Sequence, residues 1–466
     1  MLRLYRCVAI NLLKDHSMQN PNPSSPLPVA IIGAGPVGLA AAAQLVQRGQ
    51  PFVVFEAGSS VAAHLQGYRQ VQLFSPWLYN TDKAAANLLA QAGWEIPAPD
   101  ALPTAEELVD TYLLPLSRLP SIAPHVHLNA RVQAVSRQGY DKVKTRGRAA
   151  APFVLRVALP NGVQEFRALA VIDASGTWSQ PSPLGSNGLP ALGERENASQ
   201  VRYGMPDILG SERVRYAGKK VMVVGAGHSA AGSLIALASL AEQDPQTRLV
   251  WVVRGSDTAK VFGGGAADGL PARGALGERL RRLVEAGRLE VRMGFRIAAL
   301  VAGDGALTVM ADNPAIPAVL GVDQIIGATG ARPDHQITRE LRTQHDAWLE
   351  STVQLAPLID PNEHSCGTVR PHGHRELAHP EPDYYAIGAK SYGRAPNFLM
   401  ATGYEQARSV VAAITGDIAA ADSVQLDLPQ TGVCSTNLAG DVPVKSDSTC
   451  CAVPAKAQSE KVSCCA

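Results

Sequence analysis

The apolar positions of this chain fall into two matching patterns, far apart in sequence. In the first, the unbroken run Val29-Ala-Ile-Ile32 meets Gly33-Ala-Gly35-Pro-Val-Gly38 and continues into Leu39-Ala-Ala-Ala-Ala-Gln-Leu45. A run with no polar face predicts a strand buried on both sides of a parallel sheet. The small-residue stretch predicts a helix that ends near Gly49. The next apolar run, Phe52-Val-Val-Phe55, predicts a second strand and ends in Glu56. In the second pattern, Val221-Met-Val-Val224 meets Gly225-Ala-Gly227-His-Ser-Ala230. A helix over 228–242, a turn at Asp244-Pro-Gln-Thr and a strand over 249–253 complete it, and the residue after that strand is Arg254.

Strand, glycine turn, helix and strand in this order suit a bound dinucleotide. Gly33 permits the tight turn, Gly35 lets the backbone approach a pyrophosphate, and Gly38 lets the helix lie close to the sheet. The helix start offers free N–H groups and the positive end of its dipole to the phosphates. Glu56 stands at about the spacing of 20 residues expected for a carboxylate that binds ribose hydroxyls. In the second turn Gly225, Gly227 and Ala230 take the glycine positions. Arg254 replaces the acid, and a guanidinium can bind the 2′-phosphate that an acid would repel. That points to NADPH, with a solvated arginine as the alternative. His228 either meets the nucleotide phosphates or is an exposed first-turn histidine. Two such turns imply two dinucleotides, and the simplest use of two is to pass electrons between them.

Composition narrows the classes. At 466 residues the chain can hold two or three domains. With 46% hydrophobic and 18% charged residues it reads as an ordinary globular protein. The formal net charge of +1 gives no steering toward nucleic acid or anionic membrane, and 5% aromatics leave little for base stacking. No run of about 18 apolar residues is present, so no membrane-spanning helix is expected. Residues 1–20 lack a long apolar segment and a small-residue cleavage site, so no secretory signal is expected. They are either an extension ahead of a start at Met18 or a short arm. Five of the seven cysteines lie after residue 433, unlike a disulfide-held core, so the body reads as reduced and cytoplasmic.

These residues resemble the two-dinucleotide flavoproteins: flavin-containing monooxygenases, Baeyer–Villiger oxygenases and pyridine-nucleotide disulfide reductases. Val171-Ile-Asp-Ala-Ser-Gly176-Thr and Asp323-Gln-Ile-Ile-Gly-Ala-Thr-Gly330-Ala-Arg-Pro-Asp334 look like the crossings between the two lobes. Tyr384-Tyr-Ala-Ile-Gly388-Ala-Lys looks like the late strand whose following helix, at 403–415, faces the flavin ribityl–phosphate region. The resemblance implies an α/β fold with two Rossmann-like domains. An FAD domain would span 29–216 and 331–418, with an NADPH domain inserted at 217–330, an arm at 1–28 and a tail at 419–466. It implies FAD on Gly33, Gly35, Gly38 and Glu56, NADPH on Gly225, Gly227, Ala230 and Arg254, and further cofactor contacts at Gly176, Gly330 and Gly388.

No cysteine occurs between residues 8 and 365, which argues against a dithiol beside the flavin. The Phe-x-Gly-x-x-x-His signature of flavin-containing monooxygenases is only partly matched by Val201-Arg-Tyr-Gly-Met-Pro-Asp-Ile-Leu-Gly210, which has no histidine. Phe74-Ser-Pro-Trp77-Leu-Tyr-Asn and Phe262-Gly-Gly-Gly265-Ala-Ala-Asp-Gly fit neither pattern. The whole resembles most the flavin-dependent monooxygenase-like proteins that accompany bacterial arsenic-resistance genes.

After about residue 418 the hydrophobic periodicity is lost, which predicts a disordered tail. It carries Cys434 and the pairs Cys450-Cys451 and Cys464-Cys465. Soft thiolates suit a trivalent metalloid such as arsenic or antimony, zinc or another thiophilic metal, or no ligand at all. Mercuric reductases have a similar terminal cysteine pair. His364, His372, His374 and His379 near Cys366 do not have zinc spacing and predict a polar loop. Asp141-Lys-Val-Lys-Thr-Arg-Gly-Arg predicts a solvated hairpin or linker. Trp77, Tyr392 and Asn397 are candidates for the flavin pocket wall.

The expected reaction is NADPH reduction of FAD, then O₂ activation as a peroxyflavin that oxidises a soft nucleophilic substrate, such as a trivalent arsenical or antimonial. No side chain is assigned as acid, base or nucleophile. Monooxygenation of an amine or sulfide, reduction of a tail-bound metal, and a flavin redox sensor or metal-sequestering role remain as alternatives.

Overall fold

The computed structural model describes residues 26–263, 271–364 and 369–426. The expectations for the arm before residue 26, for Cys366, and for the tail thiols Cys434, Cys450, Cys451, Cys464 and Cys465 lie outside them.

The first apolar run is strand β1 (Val29–Ile32), and all four of its residues are buried. Helix α1 (Pro36–Gln47) opens on Pro36, at the position where a missing N–H costs nothing. It is followed by β2 (Phe52–Phe55), by α2 (Lys83–Gln91) with Asp82 as its N-cap, and by β3 (Val126–His127). An antiparallel meander, β4 (Arg131–Arg137), β5 (Phe153–Leu159) and β6 (Gly162–Ala168), leads into β7 (Ala170–Asp173).

The second pattern is β8 (Val201–Tyr203), β9 (Lys220–Val224), α3 (His228–Gln243), β10 (Arg248–Val252), α4 (Pro271–Glu285) and β11 (Glu290–Arg292). Another meander, β12 (Ile297–Ala302), β13 (Leu307–Ala311) and β14 (Val319–Val322), precedes β15 (Gln324–Gly327). The chain then returns to β16 (Tyr384–Ala386) and α5 (Met400–Ile414), which starts three residues before the expected 403.

Two parallel sheets result, in the orders β16-β7-β1-β2-β3 and β11-β10-β9-β15-β8. In the first, β1 pairs with β2 on one side and β7 on the other; in the second, β9 pairs with β10 and β15 in the same way. The strand order therefore reverses at β1 and at β9, and the crevice for a ligand opens beyond their carboxyl ends. The two units are Rossmann-like, as the repeated pattern predicts.

The repeat extends to single hydrogen bonds. Gly33 N–H donates to Phe55 O at 2.8 Å, and Gly225 N–H donates to Val252 O at 3.1 Å. Ala174 N–H donates to Ile32 O at 2.9 Å, and Ala328 N–H donates to Val224 O at 2.8 Å. Both turn glycines have positive φ, +97° and +137°, and a Cβ on either would press on a crossing carbonyl, 2.8 Å from Ala174 O or 2.2 Å from Ala328 O.

Two expectations need correction. Strand β8, which the boundary at 216 assigned to the first unit, pairs with β15 at the edge of the second sheet. A short polar-flanked strand carries no sign of which sheet it will join. The charge run at 141–148 is not wholly solvated. Arg148 is buried, with Nη1 in a short contact to Glu381 Oε2 at 2.5 Å, while Arg137 Nε donates to Glu381 Oε1 at 2.9 Å. The pairing partner lies more than two hundred residues downstream, where the sequence does not announce it.

Candidate dinucleotide sites

At the carboxyl end of β1 a cavity of about 540 Å³ is bounded by the first glycine turn, Glu56, and the crossing segment from Ala174 to Ser179. Gly33, Gly35, Glu56, Gly176 and Gly388 all line it, so the structure brings together most of the positions singled out for the first site. Gly38 lies beneath: a Cβ there would sit 2.0 Å from Gly33 O, so the helix can start this close to the strand only with glycine. A Cβ on Gly35 would meet nothing within 4 Å, which leaves that backbone open to a ligand. No side chain caps α1 or α5, and Pro36 and Met400, their first residues, both line the cavity. Two helix dipoles thus point positive ends at one space, which favours an anion.

Glu56 is buried and held in place by backbone. Its Oε2 accepts from Ala34 N–H at 2.8 Å and its Oε1 from Gly58 N–H at 2.7 Å. Each carboxylate oxygen keeps a lone pair for a further donor, such as a hydroxyl. His64 lies nearby on the cavity wall; burial lowers its pKa, with Glu56 opposing and Arg131 adding to the shift.

Across the cavity, the end of β7 is tied to the 3-10 turn after β16, Gly388–Tyr392, by a buried ion pair. Lys390 Nζ lies 2.6 Å from Asp173 Oδ2, and Ser175 Oγ–H donates to Asp173 Oδ1 at 2.6 Å. Gly388, at φ +70°, donates its N–H to Gln406 Oε1 at 2.7 Å. Gln406 Nε2 in turn donates to Ser391 Oγ and to His372 Nε2, both at 2.9 Å. Burial lowers the His372 pKa and keeps it a neutral acceptor. These contacts fix the Gly388 turn against α1, where its Cβ would lie 3.3 Å from Val37.

The second turn is more open. Gly227 and His228 are exposed, Ala230 is fully buried, and Trp251 Nε1–H donates to Gly225 O at 2.8 Å. Arg254 is exposed at the end of β10, with Nη1 3.3 Å from Ser186 O. The Phe74 ring packs edge-on against His228, with centroids 5.2 Å apart, so the unexplained Phe74 segment touches the second turn from the first unit. The crossings run side by side: Ser182 N–H donates to Gly330 O at 2.9 Å and Arg332 N–H to Gln180 O at 2.8 Å.

Other candidates fall elsewhere. Trp77 and Tyr392 are core residues of the first unit, and Asn397 Nδ2 donates to Ile359 O at 3.3 Å; none of the three lines the cavity. Their aromatic or amide character served packing. The histidines without zinc spacing take separate partners: His372 joins Gln406, His374 joins Asp422, and His379 packs against His345. No group of three or more metal-ligating side chains occurs among the described residues. Sequence reasoning passed over Tyr68, Trp178 and Lys390, all on the cavity wall. The last two lie within or beside the crossing segment at 171–177 and the late-strand segment at 384–390, which was the available signal.

Residues 30–365 match the family described as pyridine nucleotide-disulphide oxidoreductase. The chain belongs to this family. No curated protein sequence matches it. Among solved structures it is similar to the bacillithiol disulfide reductase Bdr (YpdA) from Bacillus cereus, with TM-score 0.61, 18% identity, and coverage of 84% of this chain and 99% of that one. It is similar to the ornithine N-hydroxylase KtzI of Kutzneria sp. 744, solved with reduced FAD, NADP⁺ and L-ornithine, with TM-score 0.54, 17% identity, and coverage of 85% and 98%. It is also similar to DfoA, a cadaverine monooxygenase from Erwinia amylovora bound to FAD, with TM-score 0.58, 14% identity, and coverage of 91% and 100%. At these identities the likeness is one of fold.

Proposed function

We propose that this family member is an FAD- and NADPH-dependent oxidoreductase of the monooxygenase type. The observation that carries this reading is the repeated turn, hydrogen bond for hydrogen bond, with a cavity at the first and an arginine at the second. Bound FAD would supply hydride acceptance and oxygen chemistry.

The protein's own part is binding, orientation and exclusion. The first turn and the start of α1 hold phosphate oxygens through backbone N–H groups. The remaining lone pairs of Glu56 accept ribose hydroxyls. The Lys390–Asp173 pair holds the far wall rigid, and Arg254 offers a charged fork to a 2′-phosphate. Among the described residues no cysteine lines the cavity, and none occurs between residues 8 and 365, so a protein dithiol beside the first site is no part of this reading. The two monooxygenases of like fold support oxygen as the acceptor.

Five cysteines after residue 433 support a soft substrate, a trivalent arsenical or antimonial, gathered by thiolates. The test is oxygen uptake by the purified protein with NADPH, with and without arsenite. Substrate-stimulated uptake with a pentavalent product supports the full proposal. Stimulation by amines or sulfides alone removes the metalloid, and NADPH oxidation that ignores oxygen removes the monooxygenase.

A further inference from the structure

Glu56, Ala130 and Arg131 share the wall of the first cavity: Ala130 N–H donates to Glu56 O at 2.8 Å, which sets the start of β4 beside the acid. Trp178 stands on the same wall and touches the second unit at Gly204. Trp178 is in the crossing segment just before Pro181, which bridges to Ala331 of the returning crossing. One part of its indole packs on Tyr68 of the first unit, with centroids 4.8 Å apart and planes at 42°. Another part packs on Gly204 of the second unit, where a Cβ would lie 3.0 Å from Cζ2. Gly204 is itself fixed by its N–H bond to Gly327 O at 3.1 Å. Only glycine at 204 admits the indole so close. The two units also touch here through Gln70 Nε2, which donates to Met205 O at 3.1 Å.

A large aromatic residue clamped on two sides still keeps 37% of its surface exposed. A hydrophobic ring held so rigidly and left uncovered suits a flat aromatic partner. We infer that Trp178, backed by Tyr68, is the wall against which the redox-active ring of the cofactor in the first cavity rests. The inference builds on the proposed FAD site. With phosphates at the first turn and ribose at Glu56, the wall left for the ring is the one at Trp178, which meets the second unit at Gly204. Trp178 is therefore a positioning residue at the junction where electrons pass between units.

The test reads the cofactor's own light emission, which a stacked indole quenches. Trp178→Phe keeps a ring of smaller quenching power in the same place, and Trp348→Phe, at a well exposed tryptophan, is the control. The expected result is unchanged FAD stoichiometry with bound-flavin emission raised at least roughly threefold in W178F, because the phenyl ring that takes the place of the indole quenches less, and no change in W348F. Loss of tryptophan emission when FAD is added to flavin-free protein should likewise be smaller in W178F, the other four tryptophans keeping their share. Flavin emission and tryptophan quenching in W178F equal to the wild type would overturn this inference while leaving the FAD site standing. A wild-type protein that binds no FAD would overturn both.

Discussion

The Lys390 ammonium and the Asp173 carboxylate stand 2.6 Å apart with neither side chain exposed. They join the end of β7 to the turn that follows its neighbour β16 at the cavity wall, and Ser175 Oγ lies within reach of both. Removing one partner strands a buried charge. Lys390→Met should cost about 3–5 kcal/mol in urea unfolding, and the double change Lys390→Met with Asp173→Leu should cost clearly less. A K390M loss under about 1 kcal/mol would show that water reaches the pair.

Glycines 35 and 38 should behave in opposite ways. Gly38→Ala drives a Cβ into backbone and should unfold or strongly destabilise the first unit. Gly35→Ala meets open space at an ordinary φ of −76°, so its melting temperature should stay near that of the wild type. Its flavin content after purification should fall, because the added methyl stands where the phosphates approach. Full flavin content in G35A would remove the turn from the binding site.

Glu56→Gln keeps one acceptor oxygen and removes the charge. With two backbone N–H groups now served by one oxygen, FAD affinity should fall by about 1.5–3 kcal/mol, the worth of a charged hydrogen bond. Equilibrium dialysis of the flavin-free protein measures it.

Arg254→Gln should raise the KM for NADPH by roughly tenfold or more and leave the KM for NADH nearly unchanged, since only one of the two carries a 2′-phosphate. Equal effects on both would assign the arginine a structural role through Ser186.

Acid should weaken the fold through stacked histidines. Burial, first of all, pushes His345 down to about 3 and His379 to about 4, with His335 adding to both shifts. His379 Nδ1 accepts from Gln344 N–H at 3.1 Å, a bond that protonation would remove. Folded pKa values below the usual 6.5 mean that the unfolded chain binds more protons. Stability is then complete above about pH 6.5 and declines as pH falls toward 4 and 3. Urea midpoints measured from pH 7 to 4 should fall, and His345→Gln should flatten the slope.

How much was legible follows from the range of each interaction. The turn at Gly33 and the strands on either side are local, and apolar periodicity with glycine spacing was enough to place them. The same holds for β9, α3 and β10. Glu56 was found because its spacing from the turn is set by one helix and one strand. Trp178, Tyr68 and Gly204 come from three separate segments, and nothing local links them. Trp77 and Tyr392 show the converse: an aromatic close in sequence to a nucleotide-binding segment is as readily core as cavity wall.

By itself, then, the sequence determined the two strand–turn–helix units, because backbone geometry at a tight turn selects residues one by one. It also determined that no cysteine occurs between residues 8 and 365, the stretch that holds both turns. The tertiary structure alone decided which strand joins which sheet, which of the charges at 141–148 is buried, and which side chains face the first cavity. Those outcomes depend on packing between segments hundreds of residues apart. The pairing of Lys390 with Asp173, and of Arg148 with Glu381, exists only once the sheets have formed.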